Sequence, residues 1–261
     1  MEISFKGKTA LITGAVGAIG KGIAAEYCAG GAQVFITDIS PAGVDAAVKE
    51  LQKTGVCQGA AGDIAAECDV IRIVEEAKKA LGGKIDILIN VAGIVGQGKV
   101  EELKVEEWDK MFAVNCRGSF LMVKHVVPMM KLNKYGKIIN FSSKSGKTGS
   151  ALMSHYSAAK AAIIGFTQAL AYELADHKIN VNCVCPGITE NTGVWSNVSA
   201  GYIQNLNLPR EDVVKKFSEK VPLRRLAAIK DVVAVTSFLG SDGADYMTGQ
   251  AINITGGREM H

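Results

Sequence analysis

The sequence predicts an α/β protein built on a doubly wound parallel sheet, and three observations carry that expectation. Short apolar runs alternate with amphipathic stretches along the whole of the 261 residues, the pattern of parallel strands joined by covering helices. The first run, Thr9-Ala10-Leu11-Ile12, leads into the glycine-rich turn Thr13-Gly14-Ala15-Val16-Gly17-Ala18-Ile19-Gly20 and then into a helix. The next run, Val34-Phe35-Ile36-Thr37, ends in an acid, Asp38, 18 positions beyond Gly20. Glycines there let the backbone approach a pyrophosphate at a helix N-terminus, and an acid at about that spacing meets a ribose hydroxyl. A glycine-rich loop without a ligand is the plain alternative. Strand, turn, helix, strand and acid in that order favour the ligand.

Taken in order, residues 21–29 and 42–53 read as the first two helices and 56–62 as a third strand ending at Asp63-Ile64. Residues 65–81 read as the third helix, and Lys84-Ile85-Asp86-Ile87-Leu88-Ile89-Asn90 as the fourth strand. A long helix is expected over 105–131, holding Trp108, Met111, Phe112 and Asn115, and a fifth strand over 136–142. A helix from near Tyr156 to about His177 precedes a sixth strand, 179–184. Residues 188–222 break the pattern, with Trp195, Tyr202 and two short helical stretches, and read as a lid over a site. A last helix, 230–239, and a seventh strand, 250–254, complete one domain over 1–261 without linker, repeat or low-complexity stretch.

The chemistry concentrates between Ser143 and Lys160. Ser143-Lys144-Ser145-Gly146-Lys147 reads as a polar loop at a strand end, and His155-Tyr156-Ser157-Ala158-Ala159-Lys160 opens a helix. Tyr156 and Lys160 are four apart, so both face one side of that helix. A Lys ammonium near a phenol favours the phenolate and lowers its pKa from about 10 toward neutrality, where it exchanges protons. Ser143 converges on the same oxygen. Tyr and Lys at this spacing also occur on ordinary solvated helices, so the pair needs independent support.

That support comes from order. The chain resembles the short-chain dehydrogenase/reductase family over nearly its whole length. The family's Thr-Gly-x-x-x-Gly-x-Gly turn matches Thr13 to Gly20, with Ala18 for the middle glycine. Its Asn-Asn-Ala-Gly motif appears as Asn90-Val91-Ala92-Gly93, and its Pro-Gly as Pro186-Gly187. Its catalytic Asn, Ser, Tyr and Lys fall on Asn115, Ser143, Tyr156 and Lys160, with 13 positions between Ser and Tyr. The resemblance implies a Rossmann-type sheet of seven strands and a nicotinamide cofactor held by Gly14, Gly17, Ile19, Gly20, Asp38, Asp63, Ile64, Asn90, Ala92, Gly93, Tyr156, Lys160, Pro186, Gly187 and Ile188. It places Asp63 by the adenine, whereas the residues alone equally allow a helix N-cap. It gives Asn115 a water that links Lys160 to solvent, and Lys160 the nicotinamide ribose. Asp38 favours NAD over NADP, because it repels a 2′-phosphate and neither Gly17 nor Ile39 supplies a compensating charge.

The expected reaction is NAD-dependent interconversion of a secondary alcohol and a ketone. Ser143 to Lys147, Thr248 to Gly257 and the Lys220-Val221-Pro222-Leu223-Arg224-Arg225 region resemble the polyol branch of the family, the sorbitol-6-phosphate dehydrogenases. Substrate contacts are expected from Lys144, Lys147 and His155, with Arg224 and Arg225 adding positive charge for a phosphate; lysines facing water are the alternative. The expected substrate is a phosphorylated hexitol such as sorbitol 6-phosphate; a free polyol or a 3-oxoacyl thioester is the runner-up, and an NAD-binding regulator without chemistry the other class. An intact Asn, Ser, Tyr and Lys set speaks against the regulator. The net charge of +3, from 29 basic and 26 acidic residues spread without a block, argues against nucleic acid. Six cysteines without a Cys-x-x-Cys pair read as idle thiols rather than a metal site. No signal peptide and no membrane-crossing run are read, which places the protein in the cytoplasm. A homotetramer is implied by the resemblance, with Met260 and His261 in reach of a neighbour. The alanines Ala158, Ala162 and Ala169 permit close helix contact or pack within one subunit.

Overall fold

The computed structural model describes residues 3–193, 195 and 209–261. Seven parallel strands form one sheet: β1 (Thr9–Thr13), β2 (Gln33–Asp38), β3 (Val56–Ala61), β4 (Ile87–Asn90), β5 (Gly136–Phe141), β6 (Ile179–Pro186) and β7 (Ala251–Ile254). Their order is β3-β2-β1-β4-β5-β6-β7, so the winding reverses between β1 and β4. Ligands of such sheets bind at the carboxyl ends beside that reversal.

Strand periodicity builds two cores. Ala10 and Ile12 of β1, with Ile87 and Ile89 of β4, point into a layer with α1 (Ala18–Ala29), α2 (Pro41–Leu51) and the last long helix. Leu11 and Leu88, the alternate residues, point into the opposite layer with α3 (Glu67–Ala80). Burial on both faces explains why these strands read as continuous apolar runs. β4 is shorter than the expected 84–90 because Asp86 is buried and anchors β1 instead. Its Oδ2 accepts from the Thr9 N–H at 2.9 Å and the Thr9 hydroxyl at 3.0 Å.

The long helix expected over 105–131 is three pieces. α4 (Val105–Phe112) passes through a π-helical turn, Ala113–Arg117, into α5 (Gly118–Asn133). Such a turn adds a residue to the helical ladder and commonly marks a functional position. Asn115 sits within it. A short helix, α6 (Lys144–Thr148), replaces the polar loop expected after Ser143. Then come α7 (Ser154–Leu174), α8 (Arg210–Ser218) and α9 (Ile229–Gly240). The expected lid, 188–222, is described only in part, and its middle, with Tyr202, lies outside the described residues. Trp195 packs on Val213 and Leu226 at its base. Among the described residues, no helix is long and apolar enough to cross a membrane.

Candidate active site

The segments following β1 to β6 line one cavity of about 1700 Å³ at the carboxyl edge of the sheet. At its cofactor-facing end, Gly14 has φ +65° and approaches Ala92 so closely that a Cβ would stand 2.7 Å from the Ala92 backbone. A Cβ on Gly20 would overlap the Gly14 carbonyl oxygen. Both positions therefore need glycine. Gly17 is the N-cap of α1 and has no side chain to accept from the first helical turn, so those N–H groups are free of any side-chain cap. Ala18 and Ile19 line the cavity there. An uncapped helix N-terminus behind a glycine turn fits a pyrophosphate.

Asp38 lines the same end and braces the turn: the Val16 N–H donates to its Oδ2 at 3.1 Å and the Ile39 N–H to its Oδ1 at 2.8 Å. Asp63 accepts from the Ala65 N–H at 2.8 Å, while the N-cap of α3 is Ala66. The acid thus closes the turn before the helix instead of capping it, and with Ile64 it lines the cavity. Ala92, Gly93, Pro186, Gly187 and Ile188 line it too. Asn90 departs from expectation. It is buried within the sheet, donating to Asn140 Oδ1 at 2.9 Å, and does not reach the cavity wall.

At the other end, Asn115, Ser143, Tyr156 and Lys160 share the cavity. Ser143 lies two residues past β5 and caps α6, its Oγ accepting from the Ser145 N–H at 3.1 Å. Tyr156 and Lys160 lie on one face of α7, both buried. The Lys160 Nζ donates to the Phe141 carbonyl at 2.8 Å and stands 5.8 Å from the Tyr156 ring centre. The Asn115 amide donates to the carbonyls of Ile94 and Met111, each at 3.0 Å, which fixes the side chain. Its Oδ1 is buried without a partner. A Cβ on Gly93 would lie 2.6 Å from that Oδ1 and 3.2 Å from the Lys160 Nζ, so both atoms converge on the Gly93 backbone. A buried amide oxygen with no donor is suited to holding a water.

The electrostatics differ from the simple expectation. Burial raises the Tyr156 pKa above its ordinary value, and the hydrogen bond from Ser143 opposes that rise. The ammonium of Lys160 is spent on Phe141 and is itself destabilised: burial lowers its pKa to about 8. The fall from 10.5 to about 8 corresponds to roughly 3 kcal/mol against the folded protein at neutral pH. That cost is full below pH 8 and disappears as pH rises toward 10.5. Lys160→Met is therefore expected to raise stability by about 1–2 kcal/mol at pH 7, after loss of the Phe141 bond is deducted. The gain should vanish near pH 10. Urea midpoints at both pH values check this, and a variant less stable than the parent at pH 7 contradicts it.

The expected substrate residues divide. His155 lines the cavity beside Gly96, and burial lowers its pKa while Glu107 opposes the change. Lys144 lines the cavity but pairs with Glu259 at 3.5 Å and donates to the Gly149 carbonyl at 3.1 Å. Lys147 is not among the residues lining the cavity and donates to the Ala251 carbonyl at 2.7 Å. Arg224 donates to the Glu219 carbonyl at 2.8 Å, and Arg225 pairs with Asp231. The sequence reading missed the C-terminal tail, where Arg258 and Glu259 enter the cavity wall. The one signal for it was the Gly256-Gly257 turn, which sends the chain back over the sheet edge.

The chain is similar over almost its whole length to proteins of known kind. A sorbitol dehydrogenase of Cereibacter sphaeroides is 35% identical over 255 residues, covering 97% of this chain and 98% of the relative. A 3-oxoacyl-acyl-carrier-protein reductase of Aquifex aeolicus is 34% identical over 261 residues, covering 98% and 99%. The crystal structure of an NAD⁺-bound xylitol dehydrogenase superposes with a TM-score of 0.92 at 28% identity, covering 97% of this chain and 99% of that one. Residues 8–202 match the short chain dehydrogenase family. With a glycine turn and an Asn, Ser, Tyr and Lys set gathered at one sheet edge, and with that match, the chain belongs to the short chain dehydrogenase family.

Proposed function

We propose that the protein is an NAD-dependent dehydrogenase interconverting a secondary alcohol and a ketone, with a polyol or sugar alcohol as substrate. The observation that carries this reading is the convergence of Ser143, Tyr156, Lys160 and the Asn115 Oδ1 in the cavity that the uncapped end of α1 also lines. Bound NAD supplies the acceptor for the carbinol hydride. In the alcohol-oxidising direction Tyr156 takes the hydroxyl proton at its phenolic oxygen. Ser143 donates to the substrate oxygen and steadies it as its charge changes. Lys160 and Asn115 carry the proton onward from Tyr156 through water. Gly14, Gly17, Ile19 and Gly20 would hold the pyrophosphate and Asp38 the adenosine ribose, with Asp63 and Ile64 at the adenine.

A free polyol is favoured over a phosphorylated one because the nearby cations are already matched. Lys144 meets Glu259, Lys147 a carbonyl, and Arg225 meets Asp231. The sorbitol and xylitol dehydrogenases among the similar proteins support the polyol, whereas the 3-oxoacyl reductase supports the second reading, a thioester. Absorbance of the reduced nicotinamide, followed with sorbitol, xylitol, sorbitol 6-phosphate and 3-oxoacyl thioesters, separates them. The expected order of kcat/KM places a free polyol first, and a thioester ahead of every polyol by tenfold or more would overturn it.

We further propose one domain with residues 188–222 as its lid, a cytoplasmic location and a homotetramer. Ala162 and Ala169 are exposed on α7, so packing inside one subunit does not account for them, and Phe120 and Tyr172 are exposed on α5 and α7 as well. Light scattering is expected to give four times the 27.5 kDa chain mass. A mass near one chain would contradict it.

A further inference from the structure

The C-terminal tail holds a largely buried acid, Glu259. After β7 the chain turns at Gly256 and Gly257, with φ of 64° and 90°, and runs back along the sheet edge. Side chains of β7 and its end pin it there. Asn253 donates its amide to the Glu259 carbonyl at 3.1 Å and the His261 carbonyl at 3.3 Å. The Thr255 hydroxyl lies 3.2 Å from the Glu259 carbonyl and 3.3 Å from the Glu259 N–H. The Glu259 side chain is only 9% exposed. Its Oε1 pairs with the Lys144 Nζ at 3.5 Å and the Arg258 Nε at 3.4 Å. Among the described residues its Oε2 has no partner, and neither has the buried Asn253 Oδ1.

Lys144, Asn253, Thr255, Arg258 and Glu259 all line the cavity that holds Tyr156, and Lys144 directly follows Ser143. Two buried acceptors without donors among the described residues therefore belong to residues of the wall of that cavity. Each carries a desolvation cost until something donates to it. Lys144 and Arg258 both engage the Glu259 Oε1 and Lys144 also the Gly149 carbonyl, which leaves the Oε2 and the Asn253 Oδ1 as the acceptors still to be matched.

We propose that Glu259, with Asn253 and Lys144, is a polyhydroxyl-recognition site that selects substrates carrying hydroxyl groups next to the reacting carbinol. The inference rests on the polyol reading above and deepens it. A carboxylate accepts from two neighbouring hydroxyls at once, and such charge-assisted bonds are stronger than neutral ones. The Glu259 Oε2 is the buried oxygen that neither Lys144 nor Arg258 engages, and a substrate hydroxyl is the donor proposed for it. A phosphate or carboxylate at this place competes with Glu259 for Lys144 and Arg258. An acyl chain leaves both acceptors unpaired, which is how a site built for hydroxyls rejects its analogues.

The test uses the full-length protein and its Glu259→Gln and Asn253→Asp variants, with thermal melts confirming that each folds. kcat/KM is compared for xylitol or sorbitol and for a monohydroxy secondary alcohol of similar length. Calorimetry measures polyol affinity in the presence of NADH. Glu259→Gln is expected to lower kcat/KM for the polyol at least tenfold more than for the monohydroxy alcohol, mainly through KM, and to weaken polyol binding by a similar factor. Asn253→Asp, which removes the amide donors to the Glu259 and His261 carbonyls, is expected to lower the polyol preference as well. Equal losses on both alcohols would mean that Glu259 only tethers the tail, and would overturn the proposal. So would a parent that favours sorbitol 6-phosphate over sorbitol. If polyols bind in a Glu259-dependent way yet are not oxidised, the recognition site stands and the polyol oxidation reading fails. If polyols are oxidised but Glu259→Gln changes nothing, the reverse holds.

Discussion

Tyr156→Phe is expected to lower kcat about a thousandfold while leaving affinity for the reduced cofactor nearly unchanged. In the proposed mechanism the phenolic oxygen is the group that Ser143 assists and that Lys160 and Asn115 connect to solvent. A positioned acid or base contributes about a hundredfold to ten-thousandfold. The substitution removes one oxygen from a buried ring and leaves the packing against Met111 and Met153 in place. Binding of NADH by fluorescence and turnover by absorbance check the two halves separately. Residual turnover within tenfold of the parent would mean that another group moves the proton. The pH profile adds a second check. Burial holds Tyr156 above its ordinary pKa, so its basic form is scarce at neutrality and alcohol oxidation should quicken as pH rises from 7 to 9.

The second large effect concerns cofactor choice. The parent is expected to prefer NAD over NADP by about a thousandfold in kcat/KM. Like charges about 4 Å apart cost roughly 4 kcal/mol at an effective dielectric near 20. Asp38 is held in place by two backbone N–H groups and cannot easily swing away from a 2′-phosphate. Asp38→Asn keeps the shape and removes the charge, and should bring the two cofactors within about tenfold of each other. A parent that uses NADP as well as NAD would contradict the assignment.

The sheet was legible in the sequence because its central strands are buried on both faces, which leaves unbroken runs such as Ala10-Leu11-Ile12 and Ile87-Leu88-Ile89. The glycine turn was legible because Gly14 and Gly20 sit where a side chain would strike backbone. The π-turn at Asn115 was hidden, since one inserted residue barely changes the apolar period of a long helix. α6 was hidden because five residues hold too little pattern, and its cap, Ser143, had already been given a chemical role. Side-chain direction was the larger gap. Lys144 and Lys147 look alike in the sequence, yet one meets a carboxylate in the cavity wall and the other a strand carbonyl. Asn90 was read by its neighbourhood in the motif, and only the pairing with Asn140 shows that it serves the sheet. Glu259 lies 99 positions beyond Lys160, with no spacing to tie it to the site.

Isotope transfer tests the central claim most directly. Sorbitol or xylitol deuterated at its carbinol carbons is incubated with NAD and the protein, and the reduced cofactor is analysed by mass spectrometry. The account predicts one deuterium in each reduced cofactor, the same product unlabelled when ordinary polyol is used in heavy water, and label appearing about a thousandfold more slowly with Tyr156→Phe. A reduced cofactor that takes its label from heavy water, or no reduction with any polyol, would contradict it.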